Sequence, residues 1–202
     1  MELTSKEAIE LLEKSRGILK TDDWITHSVC VGNCAEIISK ALKLDQEYAK
    51  TLGYIHDIGK QFDTENNSVL NHAKKGYDYI KSLGYDEKYA GICIKHSFLN
   101  NDINCLANFR DETDKSNCYY EFVKEYISEE YSIYDKIINL CDLMCNTKVY
   151  TVEKRMIDLL LRHGIYANSH YHLIEVYKLK EYFNKLLGYN LYDLFPEIKN
   201  NL

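Results

Sequence analysis

The 202-residue sequence has little of what usually interrupts helices. It contains a single proline, Pro196, and only nine glycines. Because proline removes a backbone donor and breaks α-helices, its near absence leaves almost the whole chain open to helix formation. Apolar residues recur mainly at intervals of three and four, which is the spacing of one helix face. The sequence therefore predicts an all-α fold, in a single domain spanning residues 1–202.

The chain also lacks long apolar runs and an excess of basic residues. Charged residues such as Glu2, Lys6 and Glu7 interrupt the first apolar stretch. We therefore expect neither a signal peptide nor a membrane span, and a cytoplasmic protein. The formal net charge of −6 argues against a dedicated nucleic-acid surface, because such a surface normally carries a basic stripe. Small anionic partners remain compatible with this negative net charge, since bound metal ions can reverse the sign of the electrostatic field inside one pocket.

Cysteine is present in an odd number, seven, and most of the cysteines lie within apolar helical patterns. This distribution predicts reduced, buried thiols rather than a disulfide framework. Cys141 and Cys145 flank Asp142 at helical spacing. Two thiols without a second pair make a poor zinc site, so packing is the favoured interpretation.

Capping patterns mark several helix starts. Thr4 with Glu7 resembles a capping box, opening a helix that is predicted to end near Lys20. Asp22 or Asp23 is predicted to cap a second helix, and Asp45 a third. The remaining predicted helices are Leu70 to Gly84, Asp86 to Phe98, one starting near Tyr131, Val152 to Arg162, and His170 to Leu187. The segment Asn100 to Asn117 lacks a sustained period and is predicted to form a lid.

The most informative string is Tyr-Ile-His-Asp-Ile-Gly-Lys at residues 54–60. Burying the adjacent His56 and Asp57 without partners would be costly. A divalent cation would offset that cost, since imidazole and carboxylate are good ligands for Mn, Fe, Co, Ni or Zn. A His-Asp pair alone is weak evidence, but similar residues accompany it, one to a predicted helix: His27, His72, His96 and Asp142.

The order His, His-Asp, His, His, Asp resembles the HD superfamily of metal-dependent phosphohydrolases. The resemblance is to the branch whose central motif reads His-Asp-Ile-Gly-Lys, intact here at 56–60. It implies an HD-domain helical bundle of the small single-domain type. The motif core would cover about 22–147, and C-terminal helices in 151–202 would pack on it.

The resemblance also implies a ligand set. One metal would be held by His27, His56, Asp57 and Asp142. Asp57 would bridge to a second metal held by His72 and His96. One or two divalent transition metals are expected (Fe, Mn, Co, Ni or Zn, with Mg as an option at the second site), because mononuclear members keep only the first set.

The function implied is hydrolysis of a phosphoester or phosphoanhydride by metal-activated hydroxide. The expected substrate is a nucleotide or another small phosphorylated metabolite. Asp57 would position the nucleophile, and Lys60, three residues further on, would contact a substrate phosphate. Arg110 in the predicted lid is a weaker candidate for substrate contact, since loop charges are more often simply solvated.

Two alternatives remain open. Some HD-fold proteins that resemble inositol oxygenase use the same ligand order for a mixed-valent di-iron centre. A non-catalytic metal or nucleotide sensor is the other alternative.

The second His-His-Glu and the Gly-Tyr-Pro that mark cyclic-di-GMP phosphodiesterases are absent, because Gly76-Tyr77 is followed by Asp78. The other three histidines fall outside the pattern, which favours surface or capping roles for them: His163, His170 and His172.

Overall fold

The computed structural model describes residues 1–63, 68–106 and 114–201. These residues form α-helices joined by turns and short 3-10 helices. Over the described ranges there is no β-strand, and pairing is limited to an isolated antiparallel bridge between Cys145 and Val149. The predicted all-α fold is confirmed. None of the helices described is both long and apolar enough to cross a membrane.

The described α-helices, in chain order, are α1 (Ser5–Lys14), α2 (Asp23–Ala41), α3 (Gln46–Ile55), α4 (Val69–Ser82), α5 (Glu87–Ala90), α6 (Ile92–Lys95), α7 (Tyr120–Tyr126), α8 (Ile133–Met144), α9 (Val152–His163) and α10 (Ser169–Leu187). The described 3-10 helices are Ile58–Phe62, Leu99–Asn101, Leu191–Leu194 and Pro196–Asn200.

The predicted caps at Thr4 and Asp45 are present. The Thr4 hydroxyl accepts from the Glu7 amide at 3.2 Å, and the Glu7 carboxylate accepts from the Thr4 amide at 2.9 Å. Asp45 accepts from the Tyr48 amide at 3.0 Å. Asp22 stands at the N-cap of α2, but its side chain makes no capping bond. It accepts instead from the Gly17 amide at 2.9 Å.

The predicted end of α1 near Lys20 was wrong, because the helix stops at Lys14. Ser15 follows as the C-cap, and its hydroxyl donates to the Leu11 carbonyl at 3.3 Å. Gly17 then has a φ of +77°, which no α-helix continues through. The chain turns here, so that Gly17 lies against Asp22 at the start of α2.

The segment between Asp86 and Phe98 forms two short helices, α5 and α6, rather than one. Gly91 between them keeps helical dihedral angles, and a Cβ there would stand 2.5 Å from the Tyr126 hydroxyl oxygen. Tyr126 belongs to α7, which was not predicted. Short helices that depend on tertiary contacts carry a weak local signal.

The core is centred on α2, α3 and α8. A Cβ on Gly53 would stand 2.4 Å from the Gly32 Cα, so α2 and α3 are in backbone contact. One apolar cluster extends from α1 to the last 3-10 helix and includes Leu11, Ile138 and Ile198. A second buried cluster, containing Phe98 and Val123, lies beside α4, α6 and α7. Both clusters surround the start of the predicted lid.

The cysteine thiols are free, as predicted. Cys30 and Cys34 on α2 interact with Cys145 and Cys141 at the packed face of α8. Burial raises the pKa of the Cys34 thiol well above its ordinary value. These side chains therefore pack as small protonated thiols.

The segment Asn100 to Asn117 begins with packed residues. Ile103, Cys105 and Leu106 are buried. Asn100 and Asn101 adopt left-handed backbone angles, with φ of 55° and 60°. Residues 107–113, including Arg110, lie outside the described residues. The lid and the Arg110 contact therefore stay predictions.

Candidate metal centre and its cavity

The side-by-side packing of α2 and α8 brings together the first and last predicted ligands. His27 lies in the second turn of α2, and Asp142 lies near the end of α8. The His27 Nε2 stands 2.9 Å from the Asp142 Oδ1. Two residues separated by more than a hundred positions thus form one pair.

The His-Asp pair sits where α3 gives way to a 3-10 helix. His56 is the C-cap of α3, and Asp57 precedes Ile58–Phe62. The His56 Nδ1 is 2.7 Å from the Gly53 carbonyl oxygen and donates to it. That bond leaves Nε2 with its lone pair available, 3.3 Å from the His27 Nε2. The histidine is therefore oriented as a ligand.

His72 on α4 and His96 after α6 approach Asp57 from the other side. Their Nε2 atoms stand 3.5 and 3.3 Å from the Asp57 Oδ1. The amide of Asn139 on α8 donates to the His96 carbonyl at 2.5 Å and to the Lys95 carbonyl at 3.0 Å. Helix α8 therefore positions both Asp142 and the His96 backbone. Asn139 was not predicted as a site residue.

Asp57 lies between two pairs of imidazoles. Its Oδ2 is 3.7 Å from the His27 Nε2 and 3.5 Å from the His56 Nε2, whereas its Oδ1 faces His72 and His96. In two overlapping triads the candidate ligand atoms all lie within 4.8 Å of one another. These triads are His27, His56 and Asp57, and Asp57, His72 and His96.

The donor set fits a divalent cation. The Asp57 Oδ1 and the His72 Nε2 are buried and have no hydrogen-bond partner in the described structure. An unsatisfied buried polar atom costs about 1–3 kcal/mol, and more when it is charged. Imidazole nitrogens and carboxylate oxygens are ligands suited to first-row divalent metals. The buried clusters are thus able to hold a metal.

The electrostatics favour the ligand forms of these groups. Burial lowers the pKa of His56 to about 4 and that of His72 to about 3, so both rings are neutral near pH 7. Burial raises the pKa of Asp142, but the hydrogen bond from His27 and the influence of the neighbouring His56 together bring it below its ordinary value. Burial likewise raises the pKa of Asp57, but the Lys60 charge and the neighbouring His56 and His96 together hold it well below the ordinary value.

Gly59 lets the segment after Asp57 approach α4 closely. A Cβ there would stand 1.9 Å from the His72 carbonyl oxygen and 2.6 Å from the Gly76 nitrogen. The φ of Gly59 is not positive, so the requirement is for space rather than for an unusual backbone angle. The absence of a side chain lets the segment after Asp57 lie directly on α4.

The Lys60 ammonium is held beside the same carboxylate. Its Nζ donates to the Asp57 Oδ2. Burial alone would lower the pKa of Lys60, but the Asp57 carboxylate raises it above the ordinary value. The lysine is therefore charged and placed at the edge of the buried His/Asp cluster.

A cavity of about 450 Å³ opens onto the cluster. His27, Asp57 and Asp142 line one part of it, together with Lys60. Apolar side chains, including Trp24, form another part of the wall. Residues of α9 and α10 that were not predicted as site residues also line it: Arg155, Leu159, Arg162, His163 and His172.

His172 was wrongly expected to be a surface or capping residue. It is buried, and its Nδ1 lies 3.9 Å from the Cys105 Sγ. Burial lowers the pKa of His172 to about 4. His163 lines the cavity, and His170 is exposed, as expected for a surface residue.

The chain matches a known protein family over most of its length. The family model described as "HD domain" matches residues 24–147. The chain belongs to the HD domain family. The ligand order that suggested this family lies wholly inside the matched segment.

Two curated relatives are similar to part of this chain. Ribonuclease Y of Mycoplasmoides gallisepticum is 31% identical over 144 residues, which cover 70% of this chain and 22% of that protein. An uncharacterized protein of Methanocaldococcus jannaschii is 29% identical over 92 residues, covering 42% of this chain and 52% of that one. This chain therefore spans about a fifth and about half of these curated relatives.

A solved structure shares the fold. The HD domain of the L. monocytogenes phosphodiesterase PgpH superposes with a TM-score of 0.52 at 17% sequence identity. The match covers 88% of this chain and 95% of that chain.

The cationic wall of the cavity lies outside the matched HD segment. Arg155 and Arg162 lie on α9 (Val152–His163), which begins after the matched segment ends at residue 147. The spacing of residues 155, 159, 162 and 163 does indicate that they share one face of a helix. That spacing alone does not show which neighbour the face contacts.

Proposed function

We propose that this HD domain is a metal-dependent phosphohydrolase. It would hydrolyse a phosphoester or phosphoanhydride of a nucleotide or another small phosphorylated metabolite. The observation that carries the proposal is the position of Asp57, which presents one carboxylate oxygen to each of two histidine pairs. A carboxylate in that position suits a bridge between two cations.

The names of similar proteins support the reaction class. Ribonuclease Y is named for cleaving RNA, and PgpH is named a phosphodiesterase. The net charge of −6 favours a small substrate over RNA for this chain. A cavity of about 450 Å³ is within the ordinary size range of small-molecule sites.

The residues divide into two proposed ligand sets. His27, His56, Asp57 and Asp142 would hold one divalent cation, and Asp57, His72 and His96 a second. When bound, such cations lower the pKa of water, supply hydroxide near neutral pH and polarise a phosphoryl oxygen. The neutral rings and ionised carboxylates described above are the protonation states that this binding requires.

Lys60 is assigned to the substrate phosphate. Its charged Nζ sits at the Asp57 carboxylate and lines the cavity, so a phosphoryl group delivered to the cluster comes within reach of it. The ammonium would stabilise negative charge on the phosphoryl oxygens, while Asp57 orients the attacking group. Such charge stabilisation is a major part of catalysis in phosphoryl transfer.

The proposal is tested by metal content and phosphate release together. Protein purified without oxygen is analysed for bound metals. It is then assayed with mononucleotides, dinucleoside polyphosphates and bis(p-nitrophenyl) phosphate under Mn, Fe, Co, Ni, Zn and Mg. We expect turnover in the wild type and its loss, by about 10³-fold or more, in Asp57→Asn. His170→Gln, at an exposed histidine, is the matched control and should stay active.

Each failure has a distinct meaning. Iron with oxygen consumption and no phosphate release would replace the proposal with the di-iron oxygenase. Nucleotide binding without turnover under every metal would replace it with the sensor. Wild-type protein that neither binds metal nor turns over any substrate would exclude all three.

A further inference from the structure

Arg155 is a buried cation in the cavity wall. Only 8% of its surface is exposed. Its Nε donates to the Cys145 carbonyl at 2.8 Å, whereas its Nη1 is buried without a hydrogen-bond partner in the described structure. Burying an unsatisfied charged donor is costly, so such groups usually meet an anion. A guanidinium presents paired donors that match phosphate and carboxylate oxygens.

The same helix face carries further positive charge toward the solvent. Leu159 and Arg162 follow Arg155 at the spacing of one and two turns and also line the cavity. The neighbouring His163 lies close enough to respond to both arginines. Burial lowers its pKa, and the charges of Arg162 and Arg155 lower it further. A cationic strip thus runs from the buried wall to the exposed end of α9.

The strip and the metal-binding cluster belong to one cavity. Asp142, in the cluster, is the main negative charge that acts on Arg155, and Asp158 contributes less. Neither carboxylate accepts a hydrogen bond from the buried Arg155 Nη1 in the described structure.

We infer that Arg155, assisted by Arg162, binds a second phosphate group of the substrate, one that is not cleaved. The inference rests on the proposed function, since the metal cluster takes the phosphate that reacts. The substrate class is thereby narrowed to phosphorylated compounds with two phosphate groups. Both arginines lie after residue 147, beyond the matched HD segment.

Arg155 also has a structural contact that the test must separate from ligand binding. Its bond to the Cys145 carbonyl stabilises the end of α8, so Arg155→Gln can lower stability without any ligand. Arg155→Lys keeps the charge. Arg162→Gln changes an exposed side chain and leaves the packed wall intact. Thermal unfolding of each variant identifies those that remain folded at the assay temperature.

The first experiment measures binding without metals. Metal-free wild type, Arg155→Gln, Arg155→Lys and Arg162→Gln are titrated with pyrophosphate by calorimetry. We expect the Kd for pyrophosphate to rise about tenfold or more in Arg155→Gln, because one charge-assisted hydrogen bond is lost. Arg155→Lys should recover part of the affinity. Lys154→Gln, the same charge change on the same helix but outside the cavity lining, should bind like the wild type. Unchanged binding in folded Arg155→Gln and in Arg162→Gln would overturn the inference.

The second experiment measures selectivity in the metal-loaded protein. Adenosine 3′,5′-bisphosphate and AMP are compared, with phosphoglycolate as a substrate whose second anion is a carboxylate. Arg155→Gln should lower kcat/KM about tenfold for the bisphosphate, mainly through KM, and leave AMP unchanged. An equal loss for AMP, or a loss confined to phosphoglycolate, would contradict the phosphate assignment. Arg155-dependent pyrophosphate binding without any turnover would refute the proposed function but keep the subsite.

Discussion

Gly59 and His72 are in direct backbone contact, since a Cβ on Gly59 would stand 1.9 Å from the His72 carbonyl oxygen. Substitution Gly59→Ala must therefore move the 3-10 helix away from α4 and draw Asp57 away from His72. Overpacking of this kind usually costs about 1–3 kcal/mol in the free energy of unfolding. We expect this loss in urea unfolding, together with reduced metal content measured by elemental analysis.

Gly188→Ala is a control for this substitution. Gly188 has a φ of +77°, and a Cβ there would meet nothing within 4 Å. The strained backbone should cost about 1–2 kcal/mol, while metal content stays at the wild-type value. If Gly59→Ala kept its full metal content at a similar loss of stability, the close approach would not be needed for the metal centre.

The fold and the ligand cluster were accessible from the sequence because both leave local traces. Helical periodicity and caps such as Asp45 are properties of short segments. The His56-Asp57 pair is costly to bury alone, and His27 and Asp142 follow the same ligand order. That order led to the HD family, and the family match over residues 24–147 confirms it.

The cationic wall was not accessible in the same way. Arg155 and His172 look like ordinary residues of amphipathic helices, and their burial depends on how α9 and α10 pack onto α8. Asn139 was missed for a similar reason, because its bonds reach across to the carbonyls of Lys95 and His96. These roles depend on contacts between distant segments of the chain. Such contacts cannot be predicted from residue spacing within one helix.

Metal stoichiometry should separate the two proposed sites. His72→Gln removes a ligand on the Oδ1 side of Asp57, and His27→Gln removes one on the Oδ2 side. We expect each variant to retain about one metal where the wild type holds two. Three ligands remain at the site altered by His27→Gln, and two remain at the site altered by His72→Gln. Asp57→Asn should lose both. Elemental analysis after dialysis measures this, and a full pair of metals in Asp57→Asn would contradict the bridging role.

Lys60→Met should reduce turnover without emptying the metal centre. The ammonium donates to Asp57 and faces the cavity, but it is not a metal ligand. Loss of a hydrogen bond to a charged phosphate costs about 1.5–3 kcal/mol, or roughly 10- to 100-fold in kcat/KM. Steady-state kinetics with metal analysis on the same sample checks this, and Lys60→Arg should recover part of the rate. Full turnover in Lys60→Met would remove the assignment.

His172 should make the stability of the protein fall as the pH is lowered through the weakly acidic range. Burial lowers its pKa to about 4, whereas an unfolded histidine has a pKa of about 6.5. Between these values the unfolded chain binds more protons than the folded protein, so acidification favours unfolding. The shift corresponds to about 2 kcal/mol between pH 7 and pH 5. In urea unfolding of metal-free protein at these two pH values, His172→Gln should lose correspondingly less stability than the wild type. Equal losses in the two proteins would show that the His172 ring becomes charged without cost in the folded state.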